Sequence, residues 1–203
     1  MITIQDLFFV LARHKESMQV SRIIAILESI KMPYQLIVDQ GTNYPLKWRE
    51  ITATVNAGAW AAAMAMIEKN RHCLPDRLWI IEDDVQIHEA ELIDLINWHS
   101  SRNAYGVPKM FIRGRDRWWW FQNSTASIGA YNQLCCLPRV MLEAIAKSPV
   151  CLFHELWFPK IAAETQTEII CWTEQSELQN LFGPWQWRPT IAAGFGLRHP
   201  VKV

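Results

Sequence analysis

Leu78-Trp79-Ile80-Ile81-Glu82-Asp83-Asp84-Val85 decides how the rest of the chain is read. Four large apolar residues run without a break and then end in three carboxylates. Such a run, bounded upstream by the Pro75-Asp76 turn, predicts a short strand buried on both faces, as in α/β domains. Three adjacent carboxylates at its end repel one another and lose hydration. A divalent cation relieves both costs, because carboxylate oxygens suit magnesium or manganese, which keep open positions for phosphate oxygens. In open α/β sheets the carboxyl ends of the strands are also where ligands sit. The competing reading makes Asp83 or Asp84 the cap of a helix whose apolar positions start at Ile87, which accounts for one acid but scarcely for three.

Working outward, DLFFVLA within residues 2–12 predicts a first strand, closing at Arg13-His14-Lys15. Val20, Ile23, Ile24, Leu27 and Ile30 then recur at helical spacing. Pro33 breaks that helix, and YQLIVDQG predicts a second strand ending at Gly41. This β-α-β opening is the usual start of a parallel sheet. The alanine-rich run NAGAWAAAMAMIEKN, residues 56–70, predicts a helix. Beyond the acids, residues 87–98 and 137–147 read as helices, KMFIRGR as a strand and TEIICW as another. Residues 153–164 look helical with Pro159 interrupting them, and the Trp-, Gly- and Pro-rich tail from Asn180 reads as loop.

The chain has 203 residues, half of them apolar and a fifth charged, which predicts one soluble globular domain. Twenty basic residues balance twenty acidic ones, so no global field draws it onto nucleic acid or anionic lipid. The N-terminus lacks the features of a signal peptide, and no run approaches the ~20 apolar residues that span a bilayer. The expected location is cytoplasmic. Five cysteines without a CxxC spacing fit neither a zinc site nor a disulfide framework, and read as reduced thiols.

LWIIEDDV resembles the DxD-type motif of GT-A glycosyltransferases, in the variants written EDD after an apolar strand. Several neighbours are similar in kind and order to that family. VNAGAWAAAMAMIEKN resembles its alanine-rich helix that faces the nucleotide, and NSTASIGAYNQLCCLPRVMLEAI resembles the small-residue turn, strand and helix near the donor sugar. FHELWFPKIA places Glu155 where inverting members keep their base, and GFGLRHP places His199 where members carry a late metal ligand. The resemblance implies a GT-A-like three-layer α/β/α sandwich in a single domain, residues 1–203. Its Rossmann-like nucleotide-binding half would be residues 1–85, and its acceptor and donor-sugar half residues 86–203. Two departures are the single glycine, Gly129, in that turn and the short chain.

The resemblance also implies roles. Asp84 and His199 would ligate Mn2+ or Mg2+, and Glu82 or Asp83 would contact ribose or metal-bound water. Arg13 would reach the diphosphate, Asp39 the base or ribose, and Asn56 the nucleotide. Glu155 would take the acceptor hydroxyl's proton, its carboxyl desolvated by Phe153, Leu156, Trp157 and Phe158. The donor would be a UDP-sugar and the reaction inverting. The acceptor stays open among glycan, lipid-linked sugar, protein and modified nucleic acid base. RGRDRWWWF, residues 113–121, interleaves guanidinium and indole, which suits a flat or anionic acceptor and equally a partly buried aromatic loop with solvated arginines.

Each residue has a plainer reading: Glu155 as a helix N-terminal acid, Asp39 as a turn residue, Asn56 as a cap, His199 as a surface histidine. His154 is the alternative base, or packs. A metal-dependent phosphohydrolase or nucleotidyltransferase using the same acids, and a non-catalytic glycan- or nucleic-acid-binding protein, are the competing functions. A P-loop ATPase is excluded by the lack of GxxxxGK[ST].

Overall fold

The computed structural model of the chain describes residues 5–13, 17–39, 44–48, 51–55, 58–147, 154–185 and 197–199. The expected β-α-β opening is there: β1 (Asp6–Ala12), α1 (Met18–Ser29) and β2 (Tyr34–Val38). Ser17 caps α1, its hydroxyl accepting from the Val20 N–H, and Val20, Ile23 and Leu27 form the buried stripe. The helix ends where Lys31 takes a left-handed φ of 58°. The Met32 N–H then donates back to the Leu27 carbonyl, turning the chain into β2.

A hairpin of β3 (Tyr44–Trp48) and β4 (Ile51–Val55) follows, then α2 (Gly58–Lys69), β5 (Arg77–Glu82) and α3 (Glu89–Ser100). The second half supplies β6 (Tyr105–Val107), β7 (Lys109–Ile112), β8 (Ile128–Tyr131) and β9 (Leu134–Pro138). It continues with α4 (Arg139–Lys147), α5 (His154–Glu164), β10 (Ile169–Cys171), β11 (Phe182–Trp185) and β12 (Leu197–His199).

Six strands form one sheet in the order β10-β6-β9-β5-β1-β2. Only β9 runs against its neighbours; β1 lies parallel to both β2 and β5. The strand β5 sits inside the sheet and alternates between two cores. Trp79 and Ile81 pack with Ile23 and Leu27 of α1 and Leu92 and Leu95 of α3. Leu78 and Ile80 pack with Met64 and Ile67 of α2, Leu142 and Ile145 of α4, and Phe158 and Ile161 of α5. The architecture is therefore three-layered, with helices on both faces of a mostly parallel sheet.

Three expectations need correcting. Residues 134–138 form β9, so the helix expected from Leu137 starts at Arg139. Pro159 does not interrupt α5, which runs through it. The tail holds β11 and β12, paired in parallel, as well as loop. The helix after the acids begins at Glu89 with His88 as its cap, so neither Asp83 nor Asp84 caps it. Of the cysteines, Cys135, Cys136 and Cys171 are buried and Cys73 is exposed, all as free thiols. Among the described residues no helix is long and apolar enough to cross a membrane.

Gly129 belongs to β8 rather than to a turn. A Cβ there would stand 1.7 Å from Trp118 Cζ3, and the Trp118 indole is itself stacked on Phe111 at 4.6 Å. The missing side chain is thus a packing requirement. Gly129→Ala is expected to displace that indole and lower stability by about 1–3 kcal/mol, measured as the urea unfolding midpoint. An unchanged midpoint would show that the ring has room to move.

Candidate active site

Strand alternation determines where the acids go. Leu78 and Ile80 face α2, α4 and α5, so Glu82, the next residue of that parity, emerges on the same side. Its carboxylate accepts a hydrogen bond from the Trp60 indole of α2. Asp83 turns elsewhere: its Oδ2 accepts the backbone N–H of Arg13 at 2.8 Å, just beyond the end of β1. Asp84 is half-buried with Oδ1 closed off from solvent. The Asp39 N–H donates to the Ala12 carbonyl at 2.8 Å, so the ends of β1 and β2 are held level.

Arg13, Asp39 and Glu82-Asp83-Asp84 therefore share the carboxyl edge of three adjacent strands, as expected. Asn56 lies outside the described residues. His199 is in β12, opposite Trp185, but its side chain is not among the described ones. Among the described residues no three His, Cys, Asp or Glu side chains gather as a metal cage.

Glu155 comes to this edge from the other half of the chain. It lies in the first turn of α5 and shares its buried face with Phe158, Pro159 and Ala162. The carboxyl is 1% exposed. Burial pushes its pKa up to about 8, with the nearby Glu82 charge acting in the same direction and the Gln133 bond and the neighbouring Trp120 indole opposing it. The two acids that sequence motifs single out, Glu82 and Glu155, thus lie within electrostatic reach of each other.

Two residues passed over in the sequence make that arrangement. Asn132 and Gln133 join β8 to β9 and are 0% and 4% exposed. The Gln133 carbonyl accepts the Glu82 N–H at 2.8 Å, and its side-chain Nε2 donates to Glu155 Oε1 at 2.8 Å. Asn132 Nδ2 donates to the His154 carbonyl at 2.8 Å, while its Oδ1 accepts from the Tyr105 hydroxyl. One dipeptide fastens the end of β5 to the start of α5. A polar pair between two apolar strands is the only trace of this in the sequence.

His154 is packed in the fold. Its ring stacks on Trp60 at 3.9 Å, and burial pushes its pKa down to about 3. The basic-aromatic segment is also largely structural. Arg113 donates to the carbonyls of Ser124 at 2.6 Å and Ala126 at 2.8 Å and lies over Phe121. Arg115 pairs with Asp116 and Glu174, and Trp118 and Phe121 are buried. Arg117 is exposed, and Trp120 is half-buried with its indole beside Glu155.

The raised pKa has a stability consequence with a definite sign. Glu155 stays protonated in the fold up to about pH 8, whereas unfolded it ionises near 4.5. Between those values the unfolded chain gives up a proton that the fold retains, so stability falls as pH rises. Relative to Glu155→Gln, the wild type should lose about 1.4 kcal/mol per pH unit across that window, measured by urea unfolding at pH 5 and pH 7. A constant difference between the two proteins would mean that Glu155 ionises normally.

No protein-family model and no curated protein matches the chain. Among solved structures the chain is similar to the protein described as A197 from STIV, at 14% identity and a TM-score of 0.44, covering 82% of this chain and 80% of that one. The functional reading rests on the residues of this chain.

Proposed function

We propose that this protein is a metal-dependent glycosyltransferase of the GT-A kind, moving a sugar from a UDP-sugar to an acceptor hydroxyl with inversion. The observation that carries this reading is the convergence of Glu155 with the Glu82-Asp83-Asp84 edge, 71–73 residues apart in sequence, through Gln133. A transferase of this type needs an acidic edge for the leaving diphosphate and a separate base for the acceptor.

The residues fit a cation that arrives with its substrate. Asp83 Oδ2 is engaged by Arg13 and one Glu82 oxygen by Trp60; the resemblance to the DxD-type motif is what assigns direct ligation to Asp84, with His199 as its proposed companion. Magnesium and manganese accept so few protein ligands when phosphate oxygens and waters complete the shell. When bound, the cation supplies neutralising charge for the departing nucleoside diphosphate.

The other roles follow from placement. Arg13 and Asp39, at the ends of β1 and β2, lie where phosphate and ribose or base would sit. Glu155, as carboxylate, removes the proton of the acceptor hydroxyl. The acceptor oxygen bonds to the anomeric carbon as the bond from that carbon to the diphosphate oxygen breaks. Because the carboxyl is enclosed, the acceptor reaches it only once its cover opens, and Trp120 and Arg117 are the residues suited to meet a ring or an anionic group there.

Thermal shift with UDP- and GDP-sugars, with and without manganese, tests the reading. At least one nucleotide sugar should stabilise the protein in a metal-dependent way, and none doing so sinks it. Asp84→Ala is expected to abolish that stabilisation. Glu155→Gln should preserve it while reducing turnover by about 100-fold or more. Equal loss of binding in both variants would refute the division of labour.

A further inference from the structure

Gln133 is buried as deeply as the core around it, yet only part of its amide is used. Nε2 donates to Glu155 Oε1, whereas Oε1 has no hydrogen-bond donor among the described residues. Glu155 Oε2 is likewise enclosed without a donor in bonding geometry, although the Trp120 indole lies near enough to act on the carboxyl. An apolar side chain of the same shape would remove the orphaned Gln133 oxygen but would leave Glu155 Oε1 without its donor, so the bond to Glu155 is what the amide supplies.

The main chain of Gln133 is bonded to the acidic strand end and cannot drift from it. Asn132 holds the first residue of α5 at the same time. The side chain of Gln133 is thus the link that determines which Glu155 oxygen is occupied and which is left for a partner.

We propose that Gln133 is the positioning residue of Glu155: its amide holds Oε1 and so presents Oε2 as the oxygen that meets the acceptor hydroxyl. This rests on the transferase reading for the identity of the acceptor, but not for the hold on the carboxyl. The titratable groups facing Glu155 are Glu82 from β5, Tyr105 from β6, Tyr131 from β8 and His154 on its own helix. Burial drives both tyrosines upward, Tyr131 to about 12, and His154 down to about 3.

Gln133→Met tests the proposal, because methionine fills the volume without an N–H. The melting temperature should fall modestly, because Glu155 Oε1 loses its buried donor. With the UDP-sugar found to bind, kcat should fall by about 10- to 100-fold while the donor KM stays within about twofold. The rise of rate with pH should move to higher pH, since the lost bond favoured the carboxylate. A second measurement needs no turnover. The infrared band of protonated Glu155, assigned by its loss in Glu155→Gln, should change frequency in Gln133→Met, and its titration midpoint should move upward from about 8.

An unchanged band and midpoint would overturn the proposal whatever the activity. A fall in melting temperature with kcat and KM unaltered would do the same, leaving Gln133 a packing residue. If the wild type transfers no sugar but the band moves as expected, the transferase reading falls and the hold of Gln133 on Glu155 stands.

Discussion

Trp79, Ile80 and Ile81 are each 0% exposed and alternate between two cores. No carboxylate can follow them until the strand leaves the sheet, because an isolated buried charge is far costlier than any packing it replaces. This constraint places Glu82, Asp83 and Asp84 together at one edge and sends Glu82 toward α2 and α5. It also makes β5 the reference for the rest of the fold. The strands β1 and β9 register against it on either side. At its opposite end Arg77 and Trp79 donate to the Asp6 carboxylate, which burial would raise but which these bonds hold below its usual range.

The same alternation acts on β9. Cys135 and Leu137 face α2, α4 and α5, so Gln133 points that way too, toward Glu155. An antiparallel strand beside β5 is what allows this. A parallel neighbour would present its own carboxyl end at this edge, whereas β9 presents its beginning, and the turn from β8 lands beside the acids. Pro159 contributes as well. Lacking an N–H, it cannot bond the carbonyl four residues earlier in α5, which is that of Glu155. The helix continues because Pro159 is buried in the packed face.

Periodicity exposed the elements with long patterns: β1, α1, β2, α2 and β5 were all legible, and so was the acidic edge. What escaped were features that local pattern does not carry. Three residues of β6 are too few for alternation to show. The run Leu134–Pro138 joins directly to a helix, so Leu137 and Pro138 read as that helix's start, although the resemblance implied a strand just before it. His154 reads as a candidate base until its stacking on Trp60 is seen. Arg113 reads as a ligand-binding cation until its carbonyl partners are. Gln133 carried no signal, since its importance lies in a partner 22 residues away whose approach depends on how α5 packs.

The electrostatics of the edge bear on why its acids belong together. Glu82 raises the pKa of Glu155 although Trp60 already engages its carboxylate. Burial, with the Glu82 charge adding to it, holds Glu155 mainly in its protonated form near neutral pH. A positive charge brought to the acidic edge opposes the Glu82 field and favours the carboxylate form of Glu155. Proton acceptance is then coupled to occupation of the edge. The deep burial that disfavours ionisation in the empty site also screens the coupling least from solvent. An exposed glutamate would be ionised at all times and would respond weakly to its neighbours. On the proposed reading, enclosure of Glu155 beside Glu82 would give the site a base that becomes available when its other half is filled.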